Sequence, residues 1–164
     1  QVGTLRFTEN ILNGTDSLKM ESNVKTKFVF TFKALIREYA TFSNGILLRS
    51  SIYRQFNGTE KVNKQHEVSN KQYIIYQGKK TKVITSYPIT YNMLSFYSRE
   101  PENISKVYSD KLEAFLTVQK INAHQYRVNL PDGNYNLYSY QHGVLSLVEV
   151  HHSMYSAKIV LMNN

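Results

Sequence analysis

Six of the seven glycines in this chain close a turn-type dipeptide: Asn13-Gly14, Asn44-Gly45, Asn57-Gly58, Gln77-Gly78, Asp132-Gly133 and His142-Gly143. Asn-Gly and Asp-Gly supply the positive φ angles that two-residue hairpin loops need, and here they separate runs of strand-forming residues. Loops that short join only antiparallel neighbours, so the spacing predicts an antiparallel meander. Strands are expected near 2–12, 15–23, 24–33, 34–43, 46–56, 60–69, 72–77 and 80–86. The series resumes near 106–109, 112–121, 124–130, 135–141, 144–152 and 155–162.

One stretch departs from this rhythm. In SYPITYNMLSFYSREP the side chains of Tyr91, Leu94 and Tyr97 recur every three residues, which predicts a short helix over 91–98 that stops before Pro101. It lies in the one long connection, 88–105, which is expected to cover a face or an open end of the sheet. Pairing about Asn44-Gly45 sets Phe42 against Leu47, Ala40 against Arg49 and Ile36 against Tyr53, leaving Ile46, Leu48, Tyr39 and Ile52 on the reverse. Apolar residues on both faces argue for a strongly curved sheet or a partly open barrel. The expected fold is therefore a single, mainly β domain over 1–164, with one short helix.

Composition agrees. Thirteen tyrosines, with Val, Ile, Phe and Thr, suit a pleated and half-buried surface, and 164 residues suffice for one continuous core. The absence of cysteine excludes disulfides, thiol chemistry, thiolate-bound zinc and iron–sulfur clusters. No apolar run approaches the ~20 residues that span a bilayer as a helix. The chain opens on VGTLRF, already strand-like, so its N-terminus is expected to be a processed one. The net charge of +8 first favours solubility, and next an anionic surface as partner. Nucleic acid is not expected, because the aromatics fall on both faces and form no single stacking platform. There is no Gly-rich phosphate loop and no nucleophile elbow, and no cofactor is expected.

The candidate chemistry lies in VEVHH, residues 148–152. Adjacent side chains on a strand point to opposite faces, so His151 and His152 cannot reach one ion together. Glu149 and His151 share a face, and an ideal turn at His142-Gly143 sets Asn136 and Asn134 across from them. One carboxylate, one imidazole and two amides make a poor metal set. As an acid/base pair, Glu149 and His151 would need a third group, for which His124 and Tyr138 are the candidates. The same register puts Tyr138 beside Leu147 and Tyr140 beside Leu145 on the Glu149 face. His66 and His142 are expected to be exposed and without a role. Tyr91, Leu94, Tyr97, Tyr138 and Tyr140 could line a groove for an apolar or glycan ligand, with core packing as the alternative.

The segments MLSFYSREP, KVYSD and YRVNLPDGNYNLYSYQHGVLSLVE carry a pattern: Glu100-Pro101, then Val107 to Asp110, then Pro131 to Gly133 with Tyr138 and Tyr140. Over residues 91–150 this resembles an uncharacterised family of exported bacterial proteins. The resemblance implies a removed signal peptide, a periplasmic, envelope-associated or secreted location and a curved β domain. It brings no catalytic residues. The expected function is a non-enzymatic binding or envelope-associated module. The alternatives are a hydrolase-like or metal-dependent enzyme using Glu149 and His151, and a purely structural or protein-interaction domain.

Overall fold

The computed structural model describes residues 2–27, 31–153 and 155–162. The protein is mainly β, and the described residues form thirteen strands in two antiparallel sheets. It divides into two compact units: Gln1–Thr90 with Asp110–Leu112, and Tyr91–Ser109 with Glu113–Asn164.

The first unit holds seven strands in sequence order: β1 (Gly3–Leu12), β2 (Thr15–Lys27), β3 (Thr31–Ser43), β4 (Ile46–Phe56), β5 (Thr59–Ser69), β6 (Gln72–Gln77) and β7 (Lys80–Ile84). The second holds six in the order β13-β12-β11-β10-β9-β8: β8 (Lys106–Ser109), β9 (Ala114–Asn122), β10 (Gln125–Asn129), β11 (Tyr135–Gln141), β12 (Val144–His152) and β13 (Tyr155–Val160). The strands therefore fall into two meanders rather than one continuous sheet. Among the described residues no pairing closes either of them into a barrel.

Four of the six dipeptides form two-residue turns, whereas Gly78 shares the β6–β7 turn with Lys79 and Asp132-Gly133 lies within the longer link from β10 to β11. Both central residues have positive φ at Asn13-Gly14, Asn44-Gly45, Asn57-Gly58 and His142-Gly143, as a type I′ hairpin requires. Asn70 and Lys71 reach the same geometry without a glycine, with φ of 51° and 58°. The strand expected over 24–33 is divided instead: 24–27 extend β2 and 31–33 begin β3, while 28–30 lie outside the described residues.

Strand register departs from ideal hairpins in one repeated way. Three residues after the turn glycine, β4, β5 and β12 each carry one extra residue: Leu48, Lys61 and Ser146. Each is a β-bulge, which shifts every later partner by one and reverses which face its side chains take. Phe42 still pairs with Leu47, but Ala40 meets Ser50 and Ile36 meets Arg54. With that shift, Ile36, Ala40, Phe42, Leu47 and Ile52 share one face of the first sheet. Arg37, Tyr39, Thr41, Arg49, Ser51 and Tyr53 share the other. The faces expected for Arg49, Leu48, Ile52 and Tyr53 came from a register without the bulge.

The helix expected over 91–98 is a five-residue 3-10 helix, Met93–Tyr97. A spacing of three residues is the 3-10 period, not the α period, which accounts for the correction. Asn92 caps it: its side-chain oxygen accepts the Ser95 amide at 3.2 Å, and Ser95 Oγ accepts the Asn92 amide at 3.2 Å. Tyr91 and Phe96 from this connection join Val107, Leu116, Val118, Tyr126, Val128, Tyr138, Tyr140, Leu145 and Val148 in one core over the inward face of the second sheet. The connection thus covers a face of the second sheet.

Candidate functional site

The bulge at Ser146 decides the fate of the pair in VEVHH. Beyond it Ser139 pairs with Leu147, Leu137 with Glu149 and Tyr135 with His151, so the expected partners Asn136 and Asn134 are displaced by one position. Glu149 and His151 do share a face, but Tyr138 and Tyr140 point the other way, into the core with Val148 and Leu145. Glu149 accepts a salt bridge from Lys158 Nζ at 2.9 Å across β13, and this holds its carboxyl below the usual carboxylate range. His151 stacks on Tyr135 at 4.4 Å, and the Arg127 guanidinium lies 3.8 Å from the centre of the same ring. His152 stacks separately on Tyr155 at 4.7 Å. Glu149 and His151 are thus each engaged by a different neighbour. Of their candidate third groups, Tyr138 is in the core and His124 is bound to Glu100. No cluster of three potential metal-ligating side chains occurs among the described residues.

Four of the five candidate groove residues, Tyr91, Leu94, Tyr138 and Tyr140, are buried, and Tyr97 is half-buried against the same core. Phe96 stacks on Tyr138 with centroids 4.0 Å apart and meets Tyr91 edge-on at 5.3 Å. The Tyr140 hydroxyl donates to the Phe96 carbonyl at 2.7 Å, and the Tyr91 hydroxyl to the Arg99 carbonyl at 2.6 Å. Burial drives the phenols of Tyr91 and Tyr140 far above the ordinary tyrosine range. Their rings fill space that a ligand would need.

Two polar constellations were missed in the sequence. In the second unit, the Glu100 side chain is only 6% exposed. Its Oε1 accepts the Tyr126 hydroxyl at 2.7 Å, and His124 Nδ1 lies 3.0 and 3.1 Å from its two oxygens. His124 occupies the β9–β10 turn with a φ of 61°, and its side chain is 58% exposed. The signal available was a carboxylate before a proline at the end of the long connection. Its partners lie 24 and 26 residues away, which no local pattern reveals.

In the first unit, Ser50, His66 and Asp110 are all buried, contrary to the expectation of an exposed His66. The bulge at Lys61 pairs His66 with Ser50 on one side, and β6 supplies Ile75 on the other, so an imidazole read as an edge residue faces inward. Ser50 Oγ donates a hydrogen bond to Asp110 Oδ1, and His66 Nδ1 is 3.8 Å from that same oxygen. Both groups address the carboxylate. In a nucleophilic triad the imidazole stands between serine and acid to take the serine's proton, and that order is not met here.

The open chemistry lies on the solvent face of the first sheet. A shallow recess of about 260 Å³ is lined by Lys19, Glu21, Arg37, Tyr39, Ser51 and Tyr53, side by side on β2, β3 and β4. Glu21 bridges Lys19 at 3.2 Å and Arg37 at 3.8 Å. The Tyr39 hydroxyl accepts from Thr41 Oγ1 at 2.7 Å, and that bond, with Ser17 and Arg49 adding to it, lowers its pKa. Aromatic rings beside paired charges and hydroxyls give this face both stacking surface and directional hydrogen bonds.

No curated protein and no solved structure matches the chain. A family description does match, over residues 1–162. With nearly its whole length inside that match, the chain belongs to the family described as a domain of unknown function, DUF6134.

Proposed function

We propose that the protein is a non-enzymatic, exported binding module of the cell envelope that holds a glycan on the solvent face of its first sheet. The observation that carries the reading is the recess over β2–β4, where Tyr39 and Tyr53 stand among Lys19, Glu21, Arg37 and Ser51. Sugars are bound by flat aromatic faces together with fixed polar groups, and this face offers both in the open. Tyr91, Tyr126, Tyr138 and Tyr140 of the second unit favour a glycan less, since their rings pack in the core. The bulges at Leu48 and Lys61 bend their strands, which supports a curved sheet beneath the ligand. Export rests on the resemblance over residues 91–150.

Titration calorimetry of the full chain against soluble plant and bacterial polysaccharides tests this. Binding is expected, and Tyr53→Ala should weaken it about tenfold with an unchanged melting temperature. Absence of heat with every polysaccharide, at protein concentrations that detect millimolar affinity, would overturn the reading.

A further inference from the structure

The charge is divided unevenly along the chain. Residues 1–90 hold fourteen Lys and Arg against six Asp and Glu, whereas residues 91–164 hold six against six. Asp110 and Lys111, which belong with the first unit, cancel each other. The whole net charge of +8 therefore sits on the first unit.

Register and alternation show which of these cations share the recessed face. Arg6, Lys19, Lys25, Lys33, Arg37 and Arg49 all lie on it, and all are exposed. Lys25 is directly across from Lys33, a like-charge pair that weakens a sheet unless a counter-ion joins it. In the row Arg6, Glu21, Arg37, a single carboxylate stands between two guanidiniums and also holds Lys19. Arg37 and Arg49 flank the Tyr39 row from opposite sides, four residues of strand and thus about 13 Å apart along the sheet. A single sugar does not bridge that distance, and a polymer does.

We propose that the ligand of this face is an acidic polysaccharide, its carboxylates taken by Arg37, Arg49 and Lys19 and its rings laid against Tyr39 and Tyr53. The inference rests on the glycan reading and sharpens it. Guanidinium groups bind carboxylates through paired, charge-assisted hydrogen bonds, so they add register along a charged chain to the stacking of its sugars. A nucleic acid fits less well, because Glu21 and Glu67 interrupt the line of cations that a dense phosphate backbone would follow. A membrane surface fits less well too, since Tyr39, Tyr53, Ser51 and Thr41 outnumber the aliphatic Leu35 among the cations, and Leu35 is half-buried.

The experiment compares the full chain on four probes at equal ionic strength: a polyuronate, neutral dextran, duplex DNA and phosphatidylglycerol vesicles. The polyuronate should bind tightest, with an affinity that falls as salt is raised. The double variant Arg37→Gln/Arg49→Gln should lose about tenfold or more. Lys79→Gln/Lys80→Gln removes the same charge from the β6–β7 turn and the first residue of β7, and should change binding less than about twofold. Equal affinity for dextran would overturn the acidic ligand while leaving the glycan reading in place. Failure of both polysaccharides would remove both. Preference for DNA or vesicles would overturn the proposal, as would an equal loss in the two double variants, since binding would then follow net charge alone.

Discussion

The hydroxyl of Tyr126 and the carboxylate of Glu100 form a 2.7 Å hydrogen bond in which both side chains are nearly lost to solvent. A carboxylate so placed must be matched by donors, and Tyr126 with His124 provides them. The bond fastens the end of the long connection to the β9–β10 hairpin of the same unit. Glu100→Ala strands the Tyr126 hydroxyl and should cost about 2–3 kcal/mol. Glu100→Gln retains an acceptor and should cost roughly half as much. His124→Ala, at the exposed end, should cost less than about 1 kcal/mol. Denaturant titration of the three variants checks the order, and a Glu100→Ala protein as stable as the parent would refute the account.

Alkaline pH acts on the same cluster. Burial first, and then the Glu100 carboxylate, push the Tyr126 phenol up to about 12. An unperturbed tyrosine ionises near pH ~10. Between these two values the unfolded chain holds fewer protons than the folded one, so stability falls as pH rises. The contribution is complete below about pH 10 and lost by about pH 12. The phenols of Tyr73, Tyr91 and Tyr140 are raised by burial as well and steepen the loss. Phenolate absorbance should therefore show exposed tyrosines titrating first, with these four appearing only as the fold opens. Tyr126→Phe should flatten the dependence of stability on pH in this window.

Much of the fold was legible in local chemistry, and the parts that were not share a cause. Asn-Gly and His-Gly dictate turns within two residues, so hairpin positions followed directly from the sequence. A bulge leaves no such mark: Leu48, Lys61 and Ser146 are ordinary strand residues, yet each reverses the faces of everything beyond it. That reversal made the first sheet look apolar on both sides and put Glu149 on the face of Tyr138, while His66 was placed outside by the polar residues around it. The separation of His151 from His152 stood because it depends only on adjacent residues. Glu100 and Asp110 find their partners across tens of residues, beyond the reach of any pattern read along the chain.

Asp110 illustrates the energetics of such a distant contact. Ser50 and His66 both address its Oδ1 in the interior of the first unit. Asp110→Asn preserves an acceptor for Ser50 but removes the charge facing His66, and should cost about 1–2 kcal/mol. Asp110→Ala removes both and should cost about 3 kcal/mol or more. Ser50→Ala should cost about 1 kcal/mol, because the carboxylate retains its imidazole neighbour. Chemical denaturation ranks the three. If Ser50→Ala proved the most harmful, the carboxylate would not be the centre of the cluster.

The bulge at Ser146 can be tested by removing it. On its turn side Tyr140 faces Leu145, and on its far side Ser139 faces Leu147. Deleting Ser146 would join these two registers into one regular hairpin, with the same partners and the same inward residues. The direct loss is the 2.9 Å bond from Ser146 Oγ to the Ser139 carbonyl, worth about 1 kcal/mol. The deletion should therefore fold, with a melting temperature lower by only a few degrees. Inserting one residue between Val148 and Glu149 does the opposite. It turns Val150 out of the inward face and brings Glu149 toward it, burying a carboxylate with no partner. That protein should fail to give a dispersed amide spectrum. A folded insertion, or an unfolded deletion, would show that β12 is not held in place by its cross-strand register.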